Sequence, residues 1–391
     1  MKSNSPQTLL AKPVNHLYLL LISAGSLSFL GLIMVFSASS IHAIDTRGSA
    51  LSIVIRQFVF LLVSIPFAMY LSKLALSTWE KVARFGFIIS TLILAILIIP
   101  GVGKSVRGNT NWIDFKIFDV QPSEFAKFLM ILWASNQLAR RELNGRFDTN
   151  VMKLITPAFV IILFLIMLGH DLGTASVVAM ILVGLLFVSG IKLRILGTIT
   201  AIGALALTAL IVTSGYRSKR FLVFLDPFAP EDYKDLGWQP AHSLLGLASG
   251  GLFGVGLGGS RQKWGNLPEA HTDFIFSVIG EELGLFGTIA TLLMLSTLLF
   301  SIFKIALRTQ DPMVRYVCSG IGCWIGVQTV LNIGSAVSVL PVVGVTLPLL
   351  SYGGSALIAT YMGIAFVIGA ARRDPAIYKE LEKTGIPKWL R

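Results

Sequence analysis

The densest run of chemistry-bearing residues is Leu267 to Leu283, LPEAHTDFIFSVIGEEL. It places Glu269, His271, Asp273, Glu281 and Glu282 close together in a chain with only 13% charged residues. The run opens a long apolar segment, so its polar end falls where a membrane helix meets water. A carboxylate kept there is costly and usually functional. Asp273 is the candidate general base, because partial burial raises a carboxylate pKa and nearby cations lower it, leaving a base that works near neutral pH. The competing reading is a helix-start acid, with Thr272 beside it as a cap. Glu281 and Glu282 lie about two turns further on, roughly 12 Å along a helix, and read first as structural polar contacts. Glu269 is a second acid near Asp273 or a solvated one. His271 and Asp273 diverge on a helix, so H-x-D is a weak metal signal. No cofactor is assigned: the cationic help a diphosphate needs comes either from basic residues or from a divalent cation such as Mg or Mn, for which Asp273 is the one candidate ligand.

Further groups add charge. Glu124 and Lys127 form an i, i+3 pair just after Pro122, which suits a helix start. They read as an ion pair or as site lining. Arg217, Lys219, Arg220, Arg261 and Lys263 share one long loop and suit an anion such as a lipid diphosphate. The plainer reading is a solvated face. Asp171 either caps the following helix or faces the same space as Asp273. The sequence holds no Walker A run, no GxSxG, no His/Cys metal cluster and no haem site. Cys318 and Cys323 read as two buried thiols.

The elements that position these groups are membrane spans. The 391 residues are 54% hydrophobic with a mean hydropathy of +0.77, beyond what a soluble domain of this length needs. Apolar windows predict an all-α polytopic protein of about ten transmembrane helices, near 17–38, 53–72, 84–100, 123–139, 154–169, 174–190, 195–214, 274–303, 315–337 and 355–371. The organisation is a tail over 1–16, one membrane domain over 17–371 and a tail over 372–391. The first span reads as an uncleaved signal anchor. With the N-terminus inside, 20 of the 32 Lys and Arg fall on the inner side and 13 of the 20 acids on the outer side. The net charge of +12 is therefore mostly a topology signal with both termini cytoplasmic, not a mark of nucleic-acid binding. Two outer loops carry charge, 101–122 and about 215–272, the latter between helices 7 and 8. The glycine-rich run 246–259 is either tucked against protein or lies on the membrane surface. The last outer loop, 338–355, is apolar and irregular because Pro341 and Pro348 forbid a continuous helix. Such backbone at membrane depth must be buried in protein or line a cavity.

Five blocks, GLIMVFSAS (31–39), FDVQPSEFAKF (118–128), HDLGTA (170–175), LPEAHTDFIFSVIGEELG (267–284) and LPVVGVTLPLLSYGGS (340–355), together resemble the SEDS family (shape, elongation, division, sporulation). The match is most like its division branch, with the elongation and sporulation branches as alternatives. The resemblance implies a ten-helix fold and a peptidoglycan glycosyltransferase acting on lipid II. The products would be β-1,4-linked glycan and undecaprenyl diphosphate. It implies Asp273 as the essential acid, and Glu124 and Lys127 as site residues, with Ser351 and Tyr352 of the last block lining the site. The implied partners are a class B penicillin-binding protein, the transpeptidase, and other division proteins. The implied location is the bacterial cytoplasmic membrane, at the division septum, with the active face outside. One departure stands out: Asn109-Thr110-Asn111 precedes Trp112-Ile113 where the family often has Ala-Arg-Arg, leaving Lys104 and Arg107 as substitute cations. The rival readings are a lipid II flippase, which needs charges along a membrane path and alternating access, and a non-catalytic division scaffold.

Overall fold

The computed structural model describes residues 12–99, 101–106, 109–116, 118–145, 150–212, 218–219 and 222–383. Arg107, Arg217 and Arg220 lie outside the described residues. Among those described, ten long helices follow the ten predicted spans: α1 (Pro13–Arg47), α2 (Ser52–Ser72), α3 (Leu76–Ala95), α4 (Pro122–Leu143), α5 (Val151–Leu168), α6 (Leu172–Val188), α7 (Leu193–Val212), α9 (Ile275–Arg308), α10 (Pro312–Ala336) and α11 (Gly354–Arg373). Two shorter α-helices, α8 (Trp238–Ser249) and α12 (Pro375–Lys383), and a 3-10 turn over Ile96–Ile98 are also among the described residues. Seven of the ten are long and apolar enough to cross a membrane, and Leu172–Val188 and Leu193–Ala206 are shorter apolar helices. The tenth, α4, carries Glu124, Lys127, Arg140, Arg141 and Glu142. It buries Glu124 and Lys127 as a pair inside the bundle, against α3, α5, α6, α10 and α11, and carries Arg140, Arg141 and Glu142 at its C-terminal end, where Arg140 is exposed.

The elements depart from the predicted spans in four places. First, α1 runs on to Arg47, where Gly48 in the left-handed region (φ 70°) returns its N–H to the Ile44 carbonyl. No glycine or proline interrupts Ser39–Arg47, so nothing stops the helix earlier. At about 1.5 Å per residue the helix is roughly 52 Å long, against about 30 Å of hydrocarbon. Its last turns, with His42, therefore project past the span. Second, loop 101–122 contains a three-stranded antiparallel sheet of β1 (Gly103–Val106), β2 (Asn109–Asp114) and β3 (Asp119–Val120). Lys104 stands opposite Trp112, and a bulge follows Lys104. The sheet docks on the α5–α6 connection through the Thr110 N–H on the Gly169 carbonyl, 3.1 Å.

Third, α9 is broken at Gly284 (φ 66°, ψ −161°), where the sequence reads as one uninterrupted span. The freed groups are taken up by the glycine-rich run. Leu285 N–H reaches Gly251 O at 2.9 Å, and Val255 and Gly256 N–H reach the Glu281 and Glu282 carbonyls at 2.9 and 3.1 Å. An added Cβ at Gly250 would overlap the Gly280 carbonyl oxygen. Of the two readings for this run, tucking against protein is the one observed. Leu252, Phe253 and Leu257 still point outward. Fourth, α8 occupies part of the long loop between α7 and α9.

The last irregular loop is buried, as its apolar sequence requires: Leu347, Leu349, Leu350 and Ser351 are nearly inaccessible. Two glycines let helices close on it. A Cβ at Gly31 of α1 would stand 2.7 Å from the Leu349 carbonyl oxygen, and one at Gly173 of α6 would overlap that of Val343. Gly173→Ala should therefore lower stability by about 1–3 kcal/mol through overpacking, read as a lower thermal midpoint in detergent. Gly203→Ala, where a Cβ meets nothing within 4 Å, should leave the midpoint unchanged.

Candidate active site

Asp273 sits one residue before the N-cap position of α9, half-buried. Glu269 at φ 60°, a strained conformation for a non-glycine residue, turns the chain into it. The Glu269 carbonyl accepts the Thr272 and Phe274 N–H groups at 3.1 and 3.2 Å. Its carboxylate accepts the Thr272 hydroxyl at 2.7 Å. The carbonyls of His271, Thr272 and Asp273 are each held from the last loop or from α10. Tyr352 N–H donates to His271 O at 2.9 Å. The Ser351 hydroxyl donates to Thr272 O at 2.5 Å and accepts Leu347 N–H at 2.8 Å. Asn332 Nδ2 donates to Asp273 O and to Val345 O, both at 2.7 Å. An added Cβ at Gly344 would stand 3.7 Å from Asp273 Oδ2, so the loop also closes on the carboxylate. The His271 ring lies 5.7 Å from Tyr352 and 5.6 Å from His42 at the projecting end of α1.

Glu124 and Lys127 are paired at 2.8 Å and almost fully buried. Lys127 Nζ also donates to Gln328 Oε1 at 3.1 Å and lies 5.1 Å from the Trp324 ring centroid. Trp324 Nε1 donates to the same Gln328 oxygen at 2.7 Å, which turns the Gln328 amide nitrogen to the Thr346 carbonyl at 3.0 Å. Trp324, Gln328 and Asn332 are spaced i, i+4, i+8 and share one face of α10. This stripe connects the buried ion pair to the loop that holds Asp273. Gln57 of α2 adds a tie to the same loop, donating to Ser351 O at 3.2 Å. Trp324, Gln328, Asn332 and Gln57 were not singled out from sequence. Their signal was present as polar side chains within otherwise apolar spans.

The other expected residues fall elsewhere. Lys263, expected among the exposed basic residues, is buried. Its ammonium donates to Gly258 O at 2.6 Å and lies 3.6 Å from Glu282, so burial and pairing take it away from a solvent-borne anion. Glu282 also accepts the Ser37 hydroxyl at 2.6 Å, and Glu281 accepts Ser260 and the Arg261 N–H at 2.5 and 2.9 Å. Both acids thus fasten the 258–263 segment to α9. Lys104 is partly exposed but lies between Asp114 and Asp119 at 3.2 and 3.0 Å, which hold its ammonium pKa above the usual value. Arg261 and Lys219 are exposed. Asp171 caps α6, accepting Thr174 N–H at 2.8 Å. It also lines a cavity of about 250 Å³ with Leu94, Asn111, Ser123 and Leu165, in whose wall Asp273 takes no part. Among the described residues no three His, Cys, Asp or Glu side chains gather to hold a metal ion.

Breaking the Glu124–Lys127 pair from one side strands a buried charge, which costs about 3–5 kcal/mol. Lys127→Met should therefore lower the thermal midpoint sharply. Adding Glu124→Gln should recover much of that loss, since no buried charge is then left unpaired.

The family model described as "Cell cycle protein", covering FtsW, RodA and SpoVE, matches residues 17–375. A protein of Mycobacterium tuberculosis named probable peptidoglycan glycosyltransferase FtsW is 36% identical over 94% of this chain and 70% of its own length. One of the same name from Halorhodospira halophila is 38% identical over 85% of each chain. Stage V sporulation protein E of Bacillus subtilis is 35% identical over 90% of this chain and 96% of its own. Among solved structures, a chain of a peptidoglycan synthase complex described as coordinating polymerisation and crosslinking superposes with a TM-score of 0.75, at 29% identity over 91% of this chain and 97% of that one. The Thermus thermophilus rod shape determining protein RodA gives 0.67 at 28% identity over 91% and 96%. With the sequence blocks, the ten-helix fold and these matches in agreement, the chain belongs to the FtsW/RodA/SpoVE family of bacterial polytopic membrane proteins.

Proposed function

We propose that this chain is a peptidoglycan glycosyltransferase that polymerises lipid II, with Asp273 as its base. The observation that carries the reading is the seat of Asp273: three successive carbonyls, 271 to 273, are each held by a hydrogen bond from the segment Asn332–Tyr352. Positioning of this kind is what converts a carboxylate into a catalyst. The 4-hydroxyl oxygen of one sugar attacks the anomeric carbon of the sugar on the other lipid. Asp273 takes the hydroxyl proton as the new C–O bond forms. The bond to the diphosphate breaks and its electron pair leaves with undecaprenyl diphosphate, inverting the anomeric centre to give a β-1,4 link. The diphosphate is already an activated leaving group, so no nucleotide is needed. Its developing charge calls for cations. Arg261 and Lys219 are the exposed candidates.

Charge asymmetry supports an outward-facing site and cytoplasmic termini. The family description as a cell cycle protein supports a place in division, and the proposed place of action is the septum. The likeness to a chain of a complex that couples polymerisation to crosslinking supports a transpeptidase partner of the class B penicillin-binding type, with other division proteins around it. One membrane domain spanning 17–371, with short tails, serves this role.

Purified chain, with and without its transpeptidase partner, should make glycan from lipid II. Asp273→Asn keeps the shape and removes the base, and should slow polymerisation by about 10²–10⁴-fold. Equal rates would remove Asp273 from the mechanism. Glycan from neither protein, even with the partner, would favour the flippase or the scaffold.

His271 is a neutral neighbour in this scheme. Burial pushes its pKa from 6.5 down to about 4; Glu269 pulls it up, and His42 and Arg47 add to the lowering. As pH falls below 6.5 the unfolded chain takes up this proton and the folded chain does not, so stability is lost between about 6.5 and 4 and is fully present above that window. Thermal midpoints should fall across the window, and fall less in His271→Gln.

A further inference from the structure

The buried amide of Asn332 lies on a helix that contributes nothing to the charged loop, yet it makes direct contact with that loop's backbone. Both hydrogen bonds of its nitrogen go to carbonyls of irregular segments, Asp273 and Val345, each at 2.7 Å. Two acceptors converging on one atom fix the amide orientation, since its oxygen cannot face a carbonyl. That oxygen is buried with no partner among the described residues, and the residue is only 1% exposed. Leaving a buried acceptor unpaired carries a penalty, and packing alone does not account for it. What the amide secures is a fixed spacing between Asp273 and Val345, next to the glycine that faces the Asp273 carboxylate. One turn back on the same helix face, Gln328 holds Thr346 O at 3.0 Å in the same manner. Its own orientation is set by Lys127 and Trp324.

We propose that Asn332 is a positioning residue for the glycosyl transfer: by bridging the Asp273 and Val345 carbonyls it sets where the Asp273 carboxylate stands, and Gln328 braces the same loop from behind. This rests on the reading of Asp273 as the base. Asn332 touches the backbone of the catalytic residue, so its loss misplaces the carboxylate without removing it. A misplacement of about 1 Å is enough to cost on the order of 10²-fold in rate. A group that acts only on the positioning of the base lowers kcat and leaves KM in place.

The test is steady-state polymerisation of lipid II by full-length wild type, Asn332→Ala, Asn332→Leu, Gln328→Leu and Asp273→Glu, each first shown to be monodisperse. For Asn332→Ala and Asn332→Leu, kcat should fall roughly 10–100-fold with KM within about threefold of wild type. Combining Asn332→Ala with Asp273→Glu should cost less than the product of the two separate losses, because both act on one carboxylate. A merely structural role would make the losses multiply. Wild-type kcat in a folded Asn332 variant, or a raised KM with unchanged kcat, overturns the inference while leaving the polymerase reading intact. If the Asn332 variants do not fold, Gln328→Leu decides: kcat lowered with KM kept supports the brace, and unchanged kcat overturns it. A wild-type chain that makes no glycan overturns the polymerase reading, and this inference with it.

Discussion

Irregular backbone inside a membrane protein has no water to pair with, and the fold depends on how this chain meets that constraint. Two segments violate helical continuity at depth: the glycine-rich run at the break in α9, and the proline-interrupted loop before α11. In hydrocarbon each orphaned N–H or C=O would cost several kcal/mol. Side chains on neighbouring helices take them up. Asn332 and Gln328 hold Val345 and Thr346, and Glu281 and Glu282 receive Arg261 and Ser260 N–H groups. Ser351 serves both a donor and an acceptor within its loop and the neighbouring one. The polar residues within the spans are therefore the scaffold of the site as much as its chemistry.

Close approach is the second half of the solution. A carbonyl can be satisfied across two segments only if their backbones nearly touch. Glycine stands where they do so, at Gly31 and Gly173 against the last loop and at Gly250 and Gly254 against α9. The break at Gly284 follows from the same geometry, since its φ of 66° suits a residue without a side chain. The backbone of the glycine run then completes the hydrogen bonds that the helix gives up. Asp273 gains a rigid seat because it carries the last of the three clamped carbonyls, at the start of the short helical stretch that ends at this break.

Much of this was legible in the sequence. Ten apolar windows marked ten helices, because a helix that faces lipid must be apolar, and even the charged α4, which packs inside the bundle, keeps an apolar stretch between its charged ends. Pro341 and Pro348 marked the loop that had to be buried. Asp273 stood out as an acid at the mouth of a span. What was hidden depended on distance in three dimensions. Lys263 reads as a surface cation until its pairing with Glu282, 19 residues on, is seen. His42 belongs to a loop until α1 runs on to Arg47 and stacks it on His271. Asn332 and Gln328 look like minor impurities in an apolar helix, and only the fold shows which carbonyls they meet. The small sheet was missed because its strands, Gly103–Val106 and Asn109–Asp114, are too short to set an alternating pattern against their surroundings.

The broken helix bears on the choice between polymerase and flippase. Discontinuous helices are common in transporters, where they bind substrate at mid-membrane and rearrange. Alternating access needs an element with two arrangements of similar free energy. Here the break is fastened in one arrangement by buried carboxylates: Glu282 to Ser37 of α1 and to Lys263, and Glu281 to Ser260 and Arg261. Releasing it would leave two buried acids without partners, and each stranded group carries a full desolvation penalty. A locked break is a poor gate and a good foundation. It suits the proposed fixed site at one end of the bundle, in which a lipid-linked substrate would keep its tails in the membrane and bring only its sugars to Asp273.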